Sequence, residues 1–291
     1  MRATARSERV REDDAMTSTA ESAPDGAERT VRMRGSDQVA RIQRAPVVGG
    51  WTLEVGGREQ SHVDLEDPLR IIHEYLRRIA NVLDTFRPAG EPIRIVHLGA
   101  GAFTLARYVQ ATRPGSVQVG VEIERELPTF VTTALPLPDG TDLEIRIGDA
   151  RDELTAMGQR RFDALVLDVF SGEESPAHLT TRDFYLDALQ HLDAEGVLLV
   201  NVGDDAGQRF LTQQIHELEA ATSQAGFSGV WTLSDATLVS DPADGNLILA
   251  AGPALTSPDI QEQRRRWVEA GPHPAAVLDP EETMAAFTRQ E

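Results

Sequence analysis

Ile93-Arg-Ile-Val-His-Leu98 runs directly into Gly99-Ala-Gly101-Ala-Phe-Thr104, and Val117-Gln-Val-Gly-Val-Glu122-Ile123 follows after a stretch of helix formers. This is an apolar run, a glycine turn, a helix and a second apolar run that reaches an acid 23 residues after Gly99. Such a β-glycine-α-β-acid unit brings two strand ends to one sheet edge, where ribose-bearing cofactors bind. Acids recur where the next two runs end: Asp149 in Gly148-Asp149-Ala150 and Asp168 in Leu165-Val-Leu-Asp168. Each acid alone also reads as a helix N-cap or a solvated loop charge. Three in register at successive strand ends read as a site.

Outward from this unit, strand-like runs at 93–98, 117–123, 143–148, 162–168, 196–202, 229–234 and 246–251 alternate with helical spacing at 102–112, 125–134, 150–157, 181–192 and 207–225. The alternation predicts an α/β protein with a doubly wound, mostly parallel, seven-stranded sheet. No helix separates the last two runs, where Ser240-Asp-Pro-Ala-Asp-Gly245 reads as a turn. A closing antiparallel hairpin of this kind resembles the end of a class I methyltransferase fold. Upstream, polar and apolar residues alternate around Gly49-Gly50 and Gly56-Gly57, a small antiparallel β-unit over 37–66. Leu69, Ile72, Leu76, Ile79 and Leu83 then predict a helix over 68–86. The domain reading is a disordered leader over 1–36, the β-unit, an α/β cofactor domain over 67–252, and a tail with short helices over 253–291.

Composition narrows the chemistry. The 291 residues hold no cysteine, which excludes disulfides, thiol catalysis and thiolate metal sites. All 28 basic residues are arginine, so Schiff-base chemistry and a P-loop lysine are excluded too. The histidines outside the pair His73-Glu74 show no metal-ligand spacing, and no metal is expected. A net charge of −19 disfavours nucleic acid. No run reaches the roughly 20 apolar residues of a membrane span, and the first residues lack a signal-peptide core, so a cytoplasmic location is expected.

The turn itself selects among cofactors. A dinucleotide fold wants a small residue three places after the second glycine, and Phe103-Thr104 fits that poorly. A shorter G-x-G turn suits a cofactor without phosphates, such as S-adenosylmethionine or its decarboxylated form. On that reading Glu122 accepts the ribose hydroxyls, Asp149 accepts the adenine amine, and Asp168 faces the reacting end.

From Trp51 to Ala250 the sequence resembles the spermidine synthase (polyamine aminopropyltransferase) superfamily. The resemblance rests on Gly57-Arg-Glu-Gln60, His73-Glu74, the Gly99–Thr104 turn, Val121-Glu122-Ile123-Glu124, Gly148-Asp149-Ala150, Phe162–Asp168 and Pro176-Ala-His-Leu-Thr-Thr-Arg-Asp-Phe184. It implies that Gln60, Gly99 and Gly101 lie at the donor, that Glu122 holds its ribose and Asp149 its adenine, and that Asp168 takes the proton of the attacking amine. It also places His73 at the substrate pocket and implies a homodimer or tetramer.

Two departures matter. The family's turn carries an aspartate that grips the donor's amine, whereas this turn has Gly101 and no aspartate. The family's second acid, three residues after the catalytic one, is Ser171 here. Each lost charge-assisted hydrogen bond is worth about 1.5–3 kcal/mol. Glu173 and Asp204 stand as candidate replacements, although loop acidity alone accounts for both. Three functions therefore stay open: aminopropyl transfer from decarboxylated S-adenosylmethionine to a small amine, methyl transfer from S-adenosylmethionine, and non-catalytic binding of a nucleoside or a partner protein.

Overall fold

The structure is a computed structural model and describes residues 28–169 and 175–288. At its centre Phe162–Leu167 (β8) is buried at every position, as a strand covered on both faces must be. Its one charged residue, Asp163, is paired with Arg87 at 2.8 Å and Arg94 at 3.2 Å. Arg94–Leu98 (β5) and Leu192–Asp204 (β9) flank β8 in parallel. The parallel series continues from β5 through Val117–Glu122 (β6) to Asp142–Ile147 (β7). Gly245–Ala251 (β11), Trp231–Asp235 (β10) and Ala275–Leu278 (β12) extend the other side antiparallel. The order is β12-β10-β11-β9-β8-β5-β6-β7, a class I methyltransferase-like sheet of eight strands.

The eighth strand is a correction. β12 arises from residues read as tail, because Ala275–Leu278 is too short to carry a periodicity of its own and is specified by pairing with the edge of β10. Ile260–Ala270 (α8) and Pro280–Phe287 (α9) flank it. Asn81 Nδ2 and Arg78 Nη2 in the helix Glu74–Thr85 (α1) reach the carbonyls of Gly271 and Pro272, which ties this segment to the body. A short helix, Ala236–Ser240 (α7), capped by Asp235, separates β10 from β11 where none was expected, and it ends where the expected turn begins.

Alternating side chains of the parallel strands feed two cores. On one face α1, Thr104–Thr112 (α2) and Trp267 of α8 cover Ile95, Ala164 and Val166. On the other, Ala150–Ala156 (α4), Arg182–Gln190 (α5) and Arg209–Ala225 (α6) cover Val96, Leu98, Leu165 and Leu167. α1 starts at Glu74, later than the expected 68: Asp64 and Asp67 side chains accept the backbone amides of Glu66, Asp67 and Leu69 and hold that stretch in turns. Among the described residues no helix is long and apolar enough to cross a membrane.

Arg29–Arg32 (β1), Val39–Arg44 (β2), Trp51–Val55 (β3) and Arg58–Val63 (β4) form a separate antiparallel sheet. β1 lies within the stretch read as a disordered leader; its four residues pair in register with β2, and Met33 beyond it is buried. The inner face of this sheet packs on Phe103 and on Leu127 and Val131 of the helix Leu127–Ala134 (α3). The small sheet thus walls one side of the large sheet's crevice.

Candidate functional site

The chain leaves β5 toward β6 and β7 and returns on the other side of β5 as β8. Where strand order reverses, the crossovers part and leave a crevice outside the carboxyl ends. Gly99 and Asp168 stand at those two ends. The Asp168 amide donates to Leu98 O at 2.8 Å, and a Cβ at position 99 would fall 2.3 Å from Asp168 O. With φ at +85°, Gly99 is the residue that lets the two strand ends close on each other. The small sheet holds the turn from the opposite side: Ala102 N–H donates to Ser61 Oγ at 3.1 Å, and Thr104 Oγ1 donates to His62 O at 3.0 Å.

An inner cavity of about 430 Å³ lies over this turn, and Gln60, Gly99, Gly101, Glu122, Asp149 and Asp168 all line it. Glu122 is almost fully buried; burial raises its carboxyl above the usual value against the hydrogen bonds from the Glu124 and Ala100 amides. Asp149 caps α4, its Oδ1 accepting the Arg151 and Asp152 amides at 2.9 and 3.3 Å. Its Oδ2 accepts from His178 Nε2 at 2.7 Å. Burial works upward on Asp149, but the His178 and backbone hydrogen bonds outweigh it and leave its pKa lowered. Cap and site residue are therefore not alternatives at Asp149. Ile123, 67% exposed at the same wall, offers an apolar shelf beside Glu122.

Asp168 stands with Gln60, Tyr75 and Val169 in the wall shared by this cavity and an outer one of about 660 Å³. Its carboxyl is raised by burial and partly restored by two donors. Asn201 Nδ2 donates to Oδ1 at 2.7 Å and Tyr75 Oη to Oδ2 at 3.3 Å. Burial and the neighbouring acid push Tyr75 far up, so it stays a protonated donor. The outer cavity carries Glu59, Glu74, Asp235 and Asp244 against Arg58 and Arg78. Arg78 is already engaged by Glu74 Oε2 and Pro272 O. His73 lines this cavity, its Nε2 3.5 Å from Glu59 Oε1; burial lowers its pKa despite Glu59, which holds it neutral at pH 7.

Tyr75, Asn201, Asn246, His178, Asp235 and Asp244 line or contact these cavities and were not selected by sequence reasoning. Tyr75 sits beside the quoted His73-Glu74 pair and reads as one more apolar helix residue. Asn201 ends the apolar run Val197–Val200, at the position that carried an acid in the runs before it, and that was the available signal.

Asp204, the candidate cation contact, is not among the residues lining these two cavities. Its Oδ1 accepts the Asp205 amide and its Oδ2 the Leu211 amide, both at 2.7–2.8 Å, so it organises the turn after β9. Glu173 lies outside the described residues. Among the described residues no group of three or more His, Asp or Glu side chains is placed to hold a metal.

No protein-family model matches the chain. A polyamine aminopropyltransferase of Vibrio vulnificus is 26% identical over 232 residues, 78% of this chain and 72% of that protein. One from Chromobacterium violaceum is 29% identical over 163 residues, 55% of this chain and 61% of its own length. The crystal structure of a probable spermidine synthase from Corynebacterium glutamicum superposes with a TM-score of 0.76 at 25% identity, covering 90% of this chain and 94% of that one. The chain is thus similar, at low identity, to polyamine aminopropyltransferases and to a probable spermidine synthase, on a class I methyltransferase-like fold.

Proposed function

We propose that the protein transfers an aminopropyl group from decarboxylated S-adenosylmethionine to a small amine, with the donor in the inner cavity and the acceptor in the outer one. The observation that carries this reading is the charge of the inner wall. Among the described residues Glu122, Glu124, Asp149 and Asp168 line it, and neither arginine nor lysine does. Its one histidine, His97, is buried against Gln118, and burial drives its pKa down to about 4, so it is neutral at pH 7. A donor carrying a sulfonium and an ammonium meets opposite charge throughout this wall. S-adenosylmethionine would bring a carboxylate with no cation to meet it.

The chemistry asks little beyond alignment and a base. The amine nitrogen attacks the propyl carbon attached to sulfur. The carbon–sulfur bond breaks with its electron pair going to sulfur, which leaves neutral methylthioadenosine. The proton displaced from nitrogen passes to Asp168, a role supported by its lining both cavities. Gln60, Glu122 and Asp149 would hold the donor, and His73 would contact the acceptor.

Calorimetric titration with S-adenosylmethionine, its decarboxylated form and methylthioadenosine, with and without putrescine, tests the assignment. Tighter binding of the decarboxylated donor is the expected result. Preference for S-adenosylmethionine would point to methyl transfer, and absence of binding by all three would leave a non-catalytic role.

A further inference from the structure

Asn201 and Asn246 belong to no motif of the sequence, yet they form a two-step chain ending on Asp168. Asn246 pairs with Gly203 and Asn201 with Ile248, so the two are diagonal neighbours on one face of β9 and β11. Asn201 is buried. Its Nδ2 donates to Asp168 Oδ1 at 2.7 Å, and its Oδ1 accepts from Asn246 Nδ2 at 3.0 Å. The direction of this chain follows from chemistry. A carboxylate can only accept, so Asn201 turns its NH2 toward Asp168, and its oxygen is left for Asn246. A primary amide has two orientations of nearly equal shape, and a donor at position 246 selects the one that serves Asp168.

We propose that Asn246 is a positioning residue for the proton-accepting step. Acting through Asn201, it ties up Oδ1 of Asp168 and leaves Oδ2, which among the described residues has the longer Tyr75 contact alone, to take the proton of the attacking amine. The inference rests on Asp168 as the base of the proposed transfer.

Around Asp168, Tyr75 of α1 is the ionisable group in contact. Arg58 and Glu59 of β4, His73, Glu74 and Arg78 of the α1 region, and Asp235 and Asp244 beside β10 and β11 face the same outer cavity. His97, Glu122, Glu124 and Asp149 face the inner one. None of these side chains is replaced in the leucine variants at 201 and 246, which add no charge, so their acid limbs report on the chain itself; Asn246→Asp adds a carboxylate to the outer cavity, and its shift includes that charge.

The test is the pH dependence of kcat with decarboxylated S-adenosylmethionine and putrescine. Asn201→Leu removes a hydrogen bond to the charged form of Asp168 and should move the acid limb up by about one to two pH units. Asn246→Leu should move it the same way by less, and the double variant no further than Asn201→Leu alone, because 246 acts only through 201. Asn246→Asp, which can only accept, turns the Asn201 amide round and should shift the limb further than Asn246→Leu. The donor KM stays unchanged throughout. The position-246 variants keep the test standing if Asn201→Leu does not fold. An unmoved limb in Asn246→Leu, or shifts that add in the double variant, would overturn the proposal. A wild-type protein without aminopropyl transfer would instead overturn the functional reading.

Discussion

His178 Nε2 lies 2.7 Å from Asp149 Oδ2, while the other oxygen of the same carboxylate caps α4. The acid assigned to adenine is therefore fully engaged, and an adenine amine must displace His178 or share its oxygen. His178→Ala should tighten methylthioadenosine several-fold in calorimetry, whereas Asp149→Ala should weaken it. Asp149→Ala should also cost about 1 kcal/mol of stability through loss of the cap.

Asp168→Asn separates chemistry from binding. Turnover should disappear while donor affinity persists, since the amide cannot take the proton. The same variant should be more stable than the wild type at neutral pH. The folded carboxyl is raised above its unfolded value, so its neutral form is favoured by the fold and that contribution is lost as pH rises through the folded pKa. A thermal melt of the variant that is lower than wild type at pH 7 would contradict this.

Gly99→Ala should be among the most damaging single changes. It sets a Cβ against Asp168 O at 2.3 Å and forces alanine into φ +85°. A loss of upwards of ~2 kcal/mol in denaturant unfolding is expected, together with lower kcat. Gly101→Asp, which restores an acid to the turn, should not improve turnover. Its Cβ would fall 2.6 Å from Ser61 Oγ, the acceptor of the Ala102 amide.

The outer cavity should read the acceptor's charge. Asp235→Asn keeps the acceptor oxygen for the Thr237 cap but removes a carboxylate from the wall. The amine KM should rise several-fold with donor affinity unchanged. An unaltered amine KM would take Asp235 out of acceptor recognition.

Gly99, Glu122 and Asp168 were legible because each follows or ends a buried apolar run, and burial on both faces leaves little choice of residue. Asp149 follows the half-exposed edge strand β7 and was legible from Gly148-Asp149-Ala150 instead; all four reach one cavity. β12 and β1 were not legible, since four residues carry no period and their pairing comes from neighbours distant in sequence. At Asp204, acidity after a strand does not reveal whether the oxygens face a cavity or, as its bonds to the Asp205 and Leu211 amides show, organise a turn. Tyr75, Asn201 and Asn246 converge on Asp168 from α1, β9 and β11, a juxtaposition set by sheet order rather than by any local run.

The most direct measurement is product analysis after mixing purified protein with putrescine and either decarboxylated S-adenosylmethionine or S-adenosylmethionine. Methylthioadenosine and an aminopropylated amine should form together from the decarboxylated donor, and neither from S-adenosylmethionine. Formation of a methylated amine and S-adenosylhomocysteine from S-adenosylmethionine, with no methylthioadenosine from the decarboxylated donor, would contradict the account.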